Sequence, residues 1–261
     1  MKAMMQRHSL PVILLALAAS LMLAAPASAQ SPAGYFAGKQ VKMIIGLGTT
    51  TTETNVCMSY KTAAVKTVRD LFERELLVGD NGAGTGTGTY PKALNALLGL
   101  KFKIIRGYAA SVDVVLAMER GEVEGYCESL ESVYGKRPHW IASKTVNLLF
   151  QGGLKPSPDL QDVPFINDLA RNEDDRRAIE FLYAGQGIGR PFLAPPDLAP
   201  NVLRMLRAAF DATMQDPDFV AEVKQKKLTL APENGDYLEK LINKIYATPK
   251  PIVERIANLI K

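Results

Sequence analysis

Along this chain, short apolar runs alternate with stretches whose apolar residues return every three or four positions. Gln40 to Ile45 (QVKMII) alternates and then turns apolar, as a strand entering a core does. Gly46-Leu47-Gly48 and the run Thr49 to Thr52 follow without periodicity and read as a loop. Asn55 to Tyr60 predicts a strand, Thr67 to Arg74 a helix with Thr67 as N-cap, and Leu76 to Val78 a second strand. A loop of glycine and threonine, Gly79 to Thr89, comes next. It leads into Tyr90-Pro91 and an apolar helical run, Ala93 to Leu98, with Pro91 suited to a first helical position.

The same unit then recurs. Phe102 to Ile105 predicts a strand, Gly107 to Ser111 a loop, and Val112 to Arg120 a helix stopped by Gly121. Val123 to Cys127 and Thr145 to Phe150 predict further strands. Beyond them the pattern is mainly helical: Asp174 to Ala184, Pro200 to Met214, Asp216 to Lys224, Asp236 to Tyr246 and Pro251 to Ile260. Two short strands interrupt it, Arg190 to Pro195 and Lys227 to Leu230. Strands alternating with helices predict an α/β fold with largely parallel sheets, in which ligands sit at loops beyond the strand C-termini. The loops Gly79–Thr89 and Gly107–Ser111 both lie there. Each ends at a helix N-terminus, where unpaired N–H groups and the helix dipole favour an anion.

Composition changes the picture at one end. Lys2, Arg7 and His8 precede an apolar run from Leu10 to Ala25, and Ala27-Ser28-Ala29 follows. This is the order of a secretory signal peptide over residues 1–29, and the run falls short of a span of about 20 residues. The chain holds 31 basic and 27 acidic side chains, and the leader accounts for two of the basic ones. The remaining charge gives no electrostatic case for nucleic acid. Over 261 residues, 22% charged and 47% hydrophobic side chains are an ordinary globular mixture.

Little enzyme chemistry can be assembled. The glycine loop runs G-x-G-x-G-x-G from Gly82, which breaks the dinucleotide spacing G-x-G-x-x-G, and no Walker phosphate loop occurs. His139 is the one histidine beyond the leader, so no Ser-His-Asp set is available. Cys57 and Cys127 fall on separate strands; a disulfide and a pair of buried thiols both fit. Glu119, Glu122 and Glu124 read as exposed charge rather than metal ligands, whereas Glu128 follows a strand end where a cleft would open.

With these residues in view, the chain resembles the tripartite tricarboxylate transporter receptors, or Bug receptors. The resemblance runs from Val56 to the C-terminus through ELLVGDNGAGTGTGTYPKALNALLGLKFKIIRGY, LAMERGEVEGYC, PSPDLQDVP and RPFLAPPDLAP. YFAGKQVKMIIG and the leader match as well. It implies a periplasmic solute-binding protein of the type II binding-protein fold, with two α/β lobes about a hinge near Val56–Tyr60 and Val146–Phe150. It also implies capture of a small organic acid for a membrane permease, with no metal; a monomer that uses no cofactor and is not an enzyme is the expectation that goes with the missing catalytic set. Lobe 2 would be 55–145, and lobe 1 would be 30–54 with 146–261.

One departure bears on that expectation. Family members carry a glycine-rich loop and further elements after the first strand, whereas here Gly48 passes straight into Thr49 to Thr52 and the segment around Val56. The first lobe is therefore truncated. A receptor with a reduced cleft, a sensor or docking protein that kept the second lobe, and a vestigial receptor all fit. The ligand would meet Gly84, Thr85, Gly86, Thr87, Gly88 and Thr89 at one helix N-terminus. Tyr108, Ala110 and Ser111 would meet it at the other, with Glu128 nearby. Thr85, Thr87 and Ser111 are the expected side-chain donors, and Gly86 and Gly88 the expected backbone donors.

Overall fold

The computed structural model describes residues 45–226 and 228–260. The leader at 1–29 and all but the last residue of the strand expected at Gln40–Ile45 lie outside the described residues. Among the described residues, eight strands form two sheets. β2 (Asn55–Tyr60), β3 (Leu76–Asp80), β4 (Phe102–Arg106), β5 (Gly125–Ser129) and β6 (Val146–Gly152) make a five-stranded sheet in the order β4-β3-β5-β2-β6. β1 (Ile45–Thr49) lies between β7 (Pro191–Ala194) and β8 (Glu233–Asn234) in a three-stranded sheet.

The expected parallel character holds at one end only. β3 runs parallel to β4 and β5, but β2 is antiparallel to β5 and β6, and β1 is antiparallel to both its neighbours. The chain leaves the small sheet through β2 and returns through β6, so these adjacent strands must run in opposite directions. β6, which the sequence division puts with the first lobe, is thus an edge strand of the larger sheet.

Strand alternation sends side chains to opposite faces of that sheet. Cys57, Leu76, Val78, Cys127 and Phe150 form one core with Leu94 and Leu97 of α2 (Gly86–Leu98), Ile179 and Tyr183 of α5 (Glu173–Ile188), and Ile252 and Ile256 of α9 (Lys250–Ile260). On the other face Val56, Met58 and Tyr126 pack with Val114, Val115 and Met118 of α3 (Ser111–Arg120) and with Trp140. Cys57 and Cys127 stand opposite each other on β2 and β5 and form a disulfide with Cα atoms 4.0 Å apart. This decides between the two readings left open by their spacing.

β1 corrects the expected loop. Gly46 to Thr49 is strand because helices press on it. A Cβ at Gly48 would stand 2.1 Å from the Phe210 ring, and one at Gly46 would stand 2.9 Å from Leu238. Phe210 belongs to α6 (Pro200–Gln215) and Leu238 to α8 (Gly235–Tyr246). Both helices begin as their sequences dictate, with Pro200 at the first position of α6 and the Asn234 side chain accepting from Tyr237 N–H in α8. Asp216 caps α7 (Pro217–Gln225) in the same way. The helix expected at Thr67–Arg74 shortens to the single turn α1 (Asp70–Glu73), although Thr67 does accept from Asp70 N–H. No strand forms at 228–230; β1 takes Glu233–Asn234 as its partner instead.

Asn172 caps α5 by accepting from Asp175 N–H. The Asp175 carboxylate is buried and receives Arg171 at 2.9 Å and Arg255 of α9 at 2.7 Å. Burial alone would raise its pKa, but the hydrogen bonds from Arg255 and Arg171 prevail and hold it below the ordinary aspartate value of 3.8. A carboxylate with a depressed folded pKa contributes stability in full above its unfolded pKa and loses it as pH falls through the folded value. The urea midpoint is therefore expected to drop between pH 5 and pH 3, and to drop less in Asp175→Asn. Equal drops in the two proteins would contradict this role.

Candidate functional site

The ends of β3 and β4 meet in register at Asp80 and Arg106. α2 starts beyond the first and α3 beyond the second. Gly79 and Asp80 belong to β3, and Gly86 to Thr89 form the first turn of α2, so the glycine-threonine loop shortens to 81–85. Pro91 is consequently inside α2 rather than at its first position. Gly82, Ala83 and Gly84 are exposed, Thr85 is the N-cap residue, and Thr87 and Gly88 are buried.

The Thr85 and Thr87 hydroxyls do not point outward. Asp80, with its side chain 3% exposed, turns its carboxylate under the start of α2. Its Oδ1 lies 2.8 Å from Thr87 Oγ1 and 3.1 Å from Thr85 Oγ1, and accepts from Gly82 N–H at 3.1 Å. Thr87 Oγ1 is also 2.7 Å from Asn81 Oδ1, and Thr85 Oγ1 is 2.9 Å from the Gly82 carbonyl. The two hydroxyls also lie 2.6 Å apart, and each has one hydrogen to donate, so two hydrogens face the Asp80, Asn81 and Gly82 oxygens and each other. The two expected donors are engaged by Asp80 and its neighbours. The carboxylate also presses on Gly88, where a Cβ would come 2.4 Å from Asp80 Oδ2. Only glycine lets the helix start lie this close to the acid.

The second loop is arranged differently. Tyr108 is half-buried, with its ring 3.3 Å from where a Cβ on Gly79 would stand, and Ala109 and Ala110 are exposed. Ala110 is the N-cap residue of α3, and its N–H donates to Asp113 at 3.0 Å, so that backbone group is engaged. Ser111, partly exposed, is the first helical residue. Near it on β5 is the Tyr126 hydroxyl, on a residue 1% exposed, close to Ser111 and Glu128 but with no partner at ordinary hydrogen-bond distance. Burial foremost, and then the Glu128 charge, hold this phenol well above its ordinary pKa, so it stays a neutral donor.

Glu128 lies within β5 and pairs with Lys136 of α4 (Leu130–Lys136) at 2.6 Å. Arg106, whose side chain is 68% exposed, reaches the Asp80 carboxylate only at 3.7 Å. The structure thus groups Tyr108, Ser111 and Glu128 with three residues missed on sequence, Asp80, Arg106 and Tyr126. Asp80 carried a signal: an acid ending a strand, with threonines five and seven positions on, can reach both of them.

A groove of about 340 Å³ lies elsewhere, bordered by Thr52, Glu53, Glu131, Asp159, Glu233 and Lys155 among others. Arg190 links Glu53 at 4.0 Å with Glu131 at 3.3 Å. Burial raises the Glu53 pKa; Arg190 opposes that and Glu131 adds to it. Four carboxyl groups against one lysine in the lining make this groove a poor seat for an acid.

No protein-family model and no curated protein matches the sequence. Solved structures do match in three dimensions. A TctC solute-binding protein from Polaromonas superposes with a TM-score of 0.60 at 15% identity, over 81% of this chain and 69% of its own. The Rhodopseudomonas palustris protein Rpa4515, solved with adipate, gives 0.54 at 14% identity, over 82% and 69%. MatC from the same organism, solved with malate, gives 0.51 at 14% identity, over 84% and 70%. The chain spans about seven tenths of the length of each of these neighbours. Among the described residues no helix is long and apolar enough to cross a membrane. The described chain therefore has the α/β fold of the TctC-type (Bug) periplasmic solute-binding proteins.

Proposed function

We propose that this protein is an exported receptor, and not an enzyme, that binds a small organic carboxylate in the periplasm and passes it to a permease of the tripartite tricarboxylate type. Its lobes would be 30–54 with 146–261, and 55–145, hinged about β2 and β6. The reading is supported by the start of α3 at Ser111 with the buried Tyr126 hydroxyl close to it, and by the exposed Arg106 guanidinium at the end of the strand that leads into that helix. Arg106 supplies the charge, the first turn of α3 supplies the N–H groups of Ser111 and Val112, and the Ser111 and Tyr126 hydroxyls supply further donors. Charge-assisted bonds of this kind hold a carboxylate without a metal. The neighbours solved with malate and adipate support the ligand class.

Titration calorimetry of the purified protein against monocarboxylates, di- and tricarboxylates, aromatic acids and amino acids tests this. At least one acid is expected to bind saturably, and Arg106→Ala to weaken it by about 10- to 100-fold, the effect of losing one charged hydrogen bond. A folded protein that binds none of them would overturn the receptor reading. The docking alternative would then gain, and one feature already favours it: Phe192 and Leu193 on the edge strand β7 are 53% and 49% exposed.

A further inference from the structure

The α2 start is built like an anion seat, and it is already filled. Asp80 occupies it with a carboxylate covalently tied to the chain, as the contacts to Gly82 N–H and the two threonine hydroxyls show. The positive end of α2 is spent on this internal charge. The α3 start differs, because the buried Tyr126 hydroxyl beside Ser111 has no partner at ordinary hydrogen-bond distance. The charges around it do not favour two added anions. Asp80, Asp113 and Glu128 stand against Arg106 and Lys136, and Lys136 is committed to Glu128 at 2.6 Å.

We infer that Asp80 is a specificity-determining residue that substitutes for one ligand carboxylate, so that the protein selects monocarboxylates over dicarboxylates. The inference rests on the receptor reading above and deepens it. A monocarboxylate takes the seat of Arg106, Ser111 and Tyr126. The second carboxylate of a dicarboxylate finds the α2 end occupied, with two hydroxyl hydrogens already shared among internal acceptors. It must displace a buried acid or stay beside it, and like charges in one site disfavour both ionised forms.

Butyrate and adipate are the probes, measured by calorimetry on the wild type, Asp80→Ala and Asp80→Asn. Wild type is expected to bind butyrate at least 10-fold more tightly than adipate. Asp80→Ala vacates the seat and frees both threonine hydroxyls, so adipate should gain at least 10-fold more than butyrate does. Asp80→Asn removes the charge but keeps an acceptor for the threonines, so its gain for adipate should be smaller. A wild type that binds adipate as tightly as butyrate overturns the inference and leaves the receptor reading intact. Neither acid binding, with the wider acid panel also silent, overturns the receptor reading instead. The wild-type comparison decides the matter even if a variant fails to fold, which circular dichroism will show.

Discussion

Replacing Cys57 and Cys127 together with alanine is expected to cost about 4 kcal/mol, the chain-entropy value for a bridge across 70 residues of sequence. For a chain of this size that corresponds to a fall in Tm of roughly 10 °C. The bridge ties β2 to β5 at the middle of the larger sheet, and both sulfurs are buried in the core that α2, α5 and α9 cover. Without it, the unfolded chain regains the freedom of everything between the two strands, which includes β3, α2, β4 and α3. The alanines also leave a small void, which adds to the loss. Thermal unfolding of the double variant against wild type measures the effect. A difference below about 1 kcal/mol would mean that the sheet does not depend on the bridge.

Tyr183 carries the second large effect. It lies fully buried on α5, stacks on Tyr90 of α2 with ring centroids 4.5 Å apart, and packs so tightly against β6 that a Cβ on Gly152 would stand 2.4 Å from its ring. It therefore helps to fasten α5 to the larger sheet. Tyr183→Ala is expected to cost about 4 kcal/mol through lost burial and the cavity left behind. Tyr183→Phe should behave in the opposite way. The hydroxyl is buried without a partner, so removing it should leave stability unchanged or raise it by about 1 kcal/mol. Urea unfolding of the two variants checks both. A clear destabilisation by phenylalanine would contradict the packing described.

These two sites show where the sequence speaks and where it is silent. The positions of α5, α6, α7 and α8 were legible from the spacing of their apolar residues, and Pro200 and Asp216 stand where the starts of α6 and α7 were expected, whereas the Asn172 and Asn234 caps of α5 and α8 emerge only from the structure. The alternation of strand and helix from Leu76 to Arg120 gave the α/β class for the same local reason. Strand neighbours are a long-range property, so neither the Cys57–Cys127 bridge nor the antiparallel setting of β2 could be read from spacing. β1 was misread because its glycines answer to Phe210 and Leu238, which lie far along the chain. At the site, the second loop and the start of α3 were legible, whereas α2 begins at Gly86, ahead of the Pro91 that the sequence suggested. The engagement of Thr85 and Thr87 was not legible, because donors were counted there without the acceptor that ends β3.

The central claim is that a ligand carboxylate sits at the start of α3 against Arg106. Amide chemical shifts followed during a butyrate titration of the isotope-labelled protein test it most directly. The account predicts saturable shifts centred on Ser111 and Val112, abolished in Arg106→Ala. Saturable shifts confined instead to the acidic groove around Glu53 and Glu131, with α3 unmoved, would contradict it.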